Sequence, residues 1–147
     1  MRRRTGGDDG TILVLTLGFV AILLVMVGVV VNVSAVVLAK RGVAGAADGA
    51  AISAAQALDL NAVYDRGLGP EIPLSFPDAN ARVQAYAAGA RAGQPGLRLT
   101  LALDGGGTAV VEGVRVIRAP FPVFGTGEVT VRAVARARAP VVVPPAP

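Results

Sequence analysis

TILVLTLGFVAILLVMVGVVVNVSAVVLA, residues 11–39, is a run of 29 residues without a charged side chain, interrupted only by Thr16, Asn32 and Ser34 once past Thr11. A helix needs roughly 20 apolar residues to cross a hydrocarbon core about 30 Å thick. The run is therefore predicted to be a transmembrane segment, with length left over for tilt. Arg2, Arg3 and Arg4 precede it, and Lys40 and Arg41 follow it. Asp8 and Asp9 weigh little in orientation, so the one-residue basic excess predicts a cytoplasmic N-terminus and an extracytoplasmic C-terminal part. A cleaved secretory signal also starts basic and turns apolar, but its apolar core is about half as long. The small-residue triplet Val33-Ser34-Ala35, where cleavage would fall, lies deep within the run. The expectation is a single-pass protein of the inner or plasma membrane.

The 147 residues leave about a hundred outside the bilayer, enough for one small domain. The absence of Cys and His excludes thiolate nucleophiles, disulfides, Cys/His zinc sites and His-dependent triads. Of the net charge of +4, residues 1–41 carry +3 through five basic and two acidic groups. The remainder is nearly balanced, so the excess belongs to the membrane flanks rather than to a nucleic-acid surface.

Beyond the run, KRGVAGAADGAAISAAQALD at 40–59 contains no Pro, and its Ala content favours continuation of the helix into water. From Thr11 to Asp59 such a helix reaches about 70 Å at 1.5 Å per residue. Its Ala residues let partners approach the backbone closely. Gly42, Gly45 and Gly49 cost up to about 1 kcal/mol each in intrinsic helix stability, so neighbours are needed to hold it. Asn32, the one strongly polar side chain in the span, seeks a partner on another helix or on backbone, or stays wet near the outer interface.

An apolar helix, then Leu38-Ala39-Lys40-Arg41, then Ala46-Ala47-Asp48-Gly49-Ala50-Ala51 and small residues to Leu58 resembles the N-terminal segment of the TadE/TadG-like proteins of tight-adherence (Flp) pilus assembly. In that family an Arg pair is followed by an Ala-Ala-Asp-Ala-Ala-Ala-like block, and Arg41 and Asp48 fall on those positions. Three positions depart from the pattern. Val43-Ala44 stands where members often carry Leu-Gln, Asn32 stands where many have Asp, and Leu15 stands where processed pilin-like members keep Glu. At 147 residues the chain resembles a short member, without the large C-terminal domain of the long TadG-type proteins.

Residues 60–77 hold Gly67, Gly69, Pro70, Pro73 and Pro77 without a sustained period and read as a loop. Asp78 can cap a short helix through Ala92, with Val83, Tyr86 and Ala90 on one face. Leu97, Leu99, Leu101 and Leu103 then alternate with Arg98, Thr100 and Ala102, the period of a half-buried strand. Asp104-Gly105-Gly106-Gly107 reads as its turn. It lacks the Lys-Ser/Thr ending and the helix start of a phosphate loop. Runs at 109–117 and 129–139 complete an antiparallel meander turning at Gly125-Thr126-Gly127. In the last strand Val129, Val131, Ala133, Ala135 and Ala137 face one way, and Thr130, Arg132, Arg136 and Arg138 the other.

The predicted architecture is α+β, membrane-anchored and pilin-like: a long transmembrane helix extending past the membrane, then a short helix and a small antiparallel β-meander. Its parts are a basic cytoplasmic N-terminus at 1–10, the transmembrane segment at 11–39 and an Ala-rich helical extension at 40–59. A small extracytoplasmic α+β domain at 60–139 and a Pro-rich tail at 140–147 follow. The resemblance implies a non-catalytic component of a Flp pilus or related secretion apparatus, like a minor pilin or pseudopilin. Its expected partners are membrane lipid and other apparatus subunits, met through helix packing. Asn32, Arg41 and Asp48 are the candidate packing residues. Neither cofactor, nucleic acid nor small-molecule substrate is expected. Two other readings stand beside this one: a membrane-anchored envelope-binding protein unrelated to pili, and a tethered enzyme using Asp104 with Glu112 or Glu128.

Overall fold

The computed structural model of the protein describes residues 8–66, 73–105, 107–121 and 127–138. An unbroken run of helix-tolerant residues, free of Pro, forms α1 (Asp8–Ala55), 48 residues and about 72 Å long. It is followed by α2 (Leu60–Arg66), α3 (Phe76–Ala90), β1 (Arg98–Asp104), β2 (Thr108–Arg118) and β3 (Glu128–Arg138). The part of α1 from Gly10 onward is long and apolar enough to cross a membrane, and its most apolar stretch is almost wholly uncovered by the rest of the protein.

The C-terminal part of α1 carries the core. Val43, Ala47, Ala50 and Ala54 are fully buried, and they recur at three- and four-residue intervals along one helical face. Over that face lie β2, β3 and α3, with α3 also resting on β1. The strands form an antiparallel meander in the order β1-β2-β3. Gly105, at φ +61°, provides the left-handed residue in the turn between β1 and β2. Leu99 and Leu101 of β1, Val111 of β2 and Val131 and Ala135 of β3 point inward. The alternation expected of these strands is therefore present, and the fold is the expected α+β arrangement. The expected turn at 125–127 falls mostly outside the described residues, as does the Pro-rich tail.

Small side chains let the layers close. Gly113 of β2 sits directly over Val43, and a Cβ there would lie 2.9 Å from Val43 Cγ1 and 3.3 Å from Leu99 Cδ2. Overfilling a packed contact of this kind costs about 1–3 kcal/mol. Gly113→Val is thus expected to destabilise the folded head by that amount, read as a lower urea midpoint at unchanged slope.

Three boundaries differ from the sequence expectation. The long helix ends at Ala55, not Asp59, because residues 57–59 leave it to pair with 73–75. The Asp59 N–H donates to the Pro73 carbonyl at 2.9 Å, and the Ser75 N–H donates to the Ala57 carbonyl at 2.9 Å. The expected loop contains α2, started by Asp59, whose Oδ1 accepts the Ala62 N–H at 3.0 Å. The next helix begins at Phe76 with Ser75 in the capping position, placing Asp78 in its first turn rather than at its cap. Its buried face is Ala79, Val83 and Ala87. Tyr86 instead lies partly exposed against Gly49 of α1.

Candidate functional site

The face of α1 opposite the core is bare. Arg41, Gly45, Asp48 and Ile52 are all exposed, and their three- and four-residue spacing places them in one stripe. Arg41 and Asp48, seven residues apart, stand about 10 Å from each other along the helix axis. A Cβ on Gly45, between them, would meet nothing within 4 Å, so the backbone there is open to close approach. Ile52 is 59% exposed. Neither Arg41 nor Asp48 forms an ion pair among the described residues. The sequence placed this pair on one face; the packing of the sheet and α3 on the other side is what turns that face outward.

Asn32 is placed differently. Its Nδ2 donates to the Phe121 carbonyl at 2.6 Å, and its Oδ1 accepts the Phe121 N–H at 3.0 Å. Both polar ends of the amide are satisfied by backbone of the same chain, just past the end of β2. Phe121 carried no signal of this in the sequence. The only hint was Asn32 itself, a polar group in an apolar run that required some partner.

The carboxylates do not converge. In the register, Asp104 faces Thr108 at one end of β2, and Glu128 faces Arg118 at the other. Ten residues of strand, about 33 Å, separate them. Glu112 faces Thr100 and Val134, four residues or about 13 Å from the Asp104 position. Glu128 is instead paired with Arg118 at 3.2 Å, with both side chains mostly exposed. Such a surface pair contributes about 1 kcal/mol at most. On the outer face of β3, Arg132 and Arg136 are exposed, but Val134, 62% exposed, lies between them.

Residues 10–57 match the model of the family described as putative Flp pilus-assembly TadE/G-like. This N-terminal segment is similar to that family. The resemblance read from Arg41 and Asp48 is borne out, since both lie within the match, and it associates the chain with Flp pilus assembly. The TadE/G-like segment takes up about a third of the chain and ends where α1 gives way to the 57–59 pairing. Neither a curated protein nor a solved structure matches the chain.

Proposed function

We propose that this chain is a non-catalytic, membrane-anchored component of a tight-adherence pilus or related secretion apparatus, acting in the manner of a minor pilin. The N-terminus lies in the cytoplasm and the sheet-bearing head outside the membrane. The observation that carries the reading is the outward stripe of α1. In the last turns of the TadE/G-like segment, from Val43 on, one helical face is buried by the chain's own head, while Arg41, Gly45, Asp48 and Ile52 on the other face are exposed. Lateral packing of that stripe on neighbouring subunits, with close backbone approach at Gly45, supplies the mechanism. Arg41 and Asp48 set the axial register of the contact.

Asp48→Ala tests the role. The substitution lies outside the core and favours helix, so the head is expected to fold with unchanged stability. Co-purification of the full chain with apparatus subunits from its native membrane is expected to fall. Undiminished recovery of those subunits would remove Asp48 from the assembly contact.

A further inference from the structure

We propose that the hydrocarbon core of the bilayer ends at Asn32, before the apolar run does, and that the chain at Pro120 and Phe121 rests in the phospholipid headgroup layer. The proposal needs only that α1 lie in a bilayer, and it holds whether or not the chain serves a pilus.

Residues 11–31 alone span about 32 Å of helix, a full crossing of a core about 30 Å thick. Residues 33–39, apolar as they are, are not needed for it. Beside this part of the helix the head comes down. Arg115 and Arg118 line a groove together with Ala35, Leu38 and Ala39. Arg118 holds Glu128 in an exposed pair, and Arg115 Nε donates to the Pro95 carbonyl at 3.2 Å. If hydrocarbon reached Ala39, these charges would be immersed in it, which lipid-facing ionic groups avoid. The backbone at Pro120 and Phe121 lies outside helix and strand, and irregular backbone is not found facing lipid in the hydrocarbon region. Both objections vanish if the boundary lies at Asn32.

The headgroup layer adds about 5–7 Å on each side of the core, which on the helix corresponds to about four residues above Asn32. Phe121, held at that level by both hydrogen bonds of Asn32 and 48% exposed, is an aromatic side chain at the depth where such rings anchor. Lys40, eight residues or about 12 Å above Asn32, stands beyond that layer in water, where its charge is solvated. The headgroup layer of a phospholipid bilayer is therefore the partner this end of the head fits at Phe121, and Asn32 fixes how deep the helix sits.

The absence of native Cys makes the test direct. Single cysteines at Leu24, Leu38 and Phe121 of the full chain are labelled with an environment-sensitive fluorophore and reconstituted in phosphatidylcholine–phosphatidylglycerol vesicles. Nitroxide quenchers are placed either mid-chain or on the headgroup. The Leu24 label is expected to be quenched several-fold more by the mid-chain nitroxide than the Leu38 label, and the Phe121 label most strongly by the headgroup nitroxide. Equal mid-chain quenching at Leu24 and Leu38, or a Phe121 label insensitive to both nitroxides, would overturn the proposal. In the Asn32→Leu background the Leu38 label is expected to gain mid-chain quenching as the uninterrupted run sinks. An unmoved Leu38 label would show that Asn32 does not set the depth.

Discussion

Leu97→Ala is expected to cost the extramembrane head about 2–5 kcal/mol, the usual range for emptying a fully buried leucine site. The reason is the composition of this core. Most of its helix-side members are alanines, which bury little apolar area each, and among the described residues only Leu97, Val43, Val83 and Val111 are large side chains with essentially no exposure. Leu97 is the largest of the four. It sits where α3 hands over to β1, its N–H donating to the Gln94 carbonyl at 3.1 Å and its carbonyl accepting Arg91 Nε at 3.2 Å. Those bonds hold the backbone in place and so oppose collapse around the void. A small domain has about 5–15 kcal/mol of stability in all, so the loss is a large share of it. Urea unfolding of the full chain in detergent, followed by protease sensitivity of the head, is expected to show the midpoint falling by about 1–2.5 M for a slope near 2 kcal/mol/M. A shift no larger than that of a surface substitution would mean that Leu97 is not the keystone its burial implies.

How much of this was legible beforehand depended on whether a signal was local. The membrane helix and the three strands were readable because charge exclusion and two-residue alternation are properties of the segment alone. The end of α1 was not. Ala residues continue to Ala57, so propensity carries the helix on, and what stops it is pairing with Pro73 and Ser75, some sixteen residues away. The α2 helix had its capping residue in view, but Asp59 was absorbed into the end of the preceding helix. On α3, helical spacing grouped Tyr86 with Val83 and Ala90 on one face. The helix instead buries Ala79, Val83 and Ala87, and the Tyr86 ring lies at the edge of the contact against Gly49, where the missing Cβ leaves room for it. At the candidate site, the seven-residue spacing of Arg41 and Asp48 fixed their common face. The bond between Asn32 and Phe121, 89 residues apart, has no periodic trace at all.

The reversal of charge on the outward stripe is expected to have the largest effect on assembly. Two copies of α1 packed side by side and offset by about 10 Å bring Arg41 of one level with Asp48 of the other. A single exposed pair of this kind is worth roughly 0.2–1 kcal/mol. Asp48→Arg does more than delete it, because it sets two arginines against each other at every contact. In a repeated assembly that difference recurs along the row of subunits, so recovery of the assembled complex is expected to fall at least about tenfold, the equivalent of 1.4 kcal/mol. Adding Arg41→Asp to the same chain restores opposite charges with the order exchanged, and is expected to restore most of the assembly. The coupling between the two substitutions is then read as a double-mutant cycle. It should shrink as salt is raised, since the Debye length falls from about 10 Å at 0.1 M to about 3 Å at 1 M. A double variant as defective as Asp48→Arg alone would show that these residues meet the charges of a different protein rather than each other. Full assembly of all three variants would mean that the stripe packs through Gly45 and Ile52 with its charges left in water.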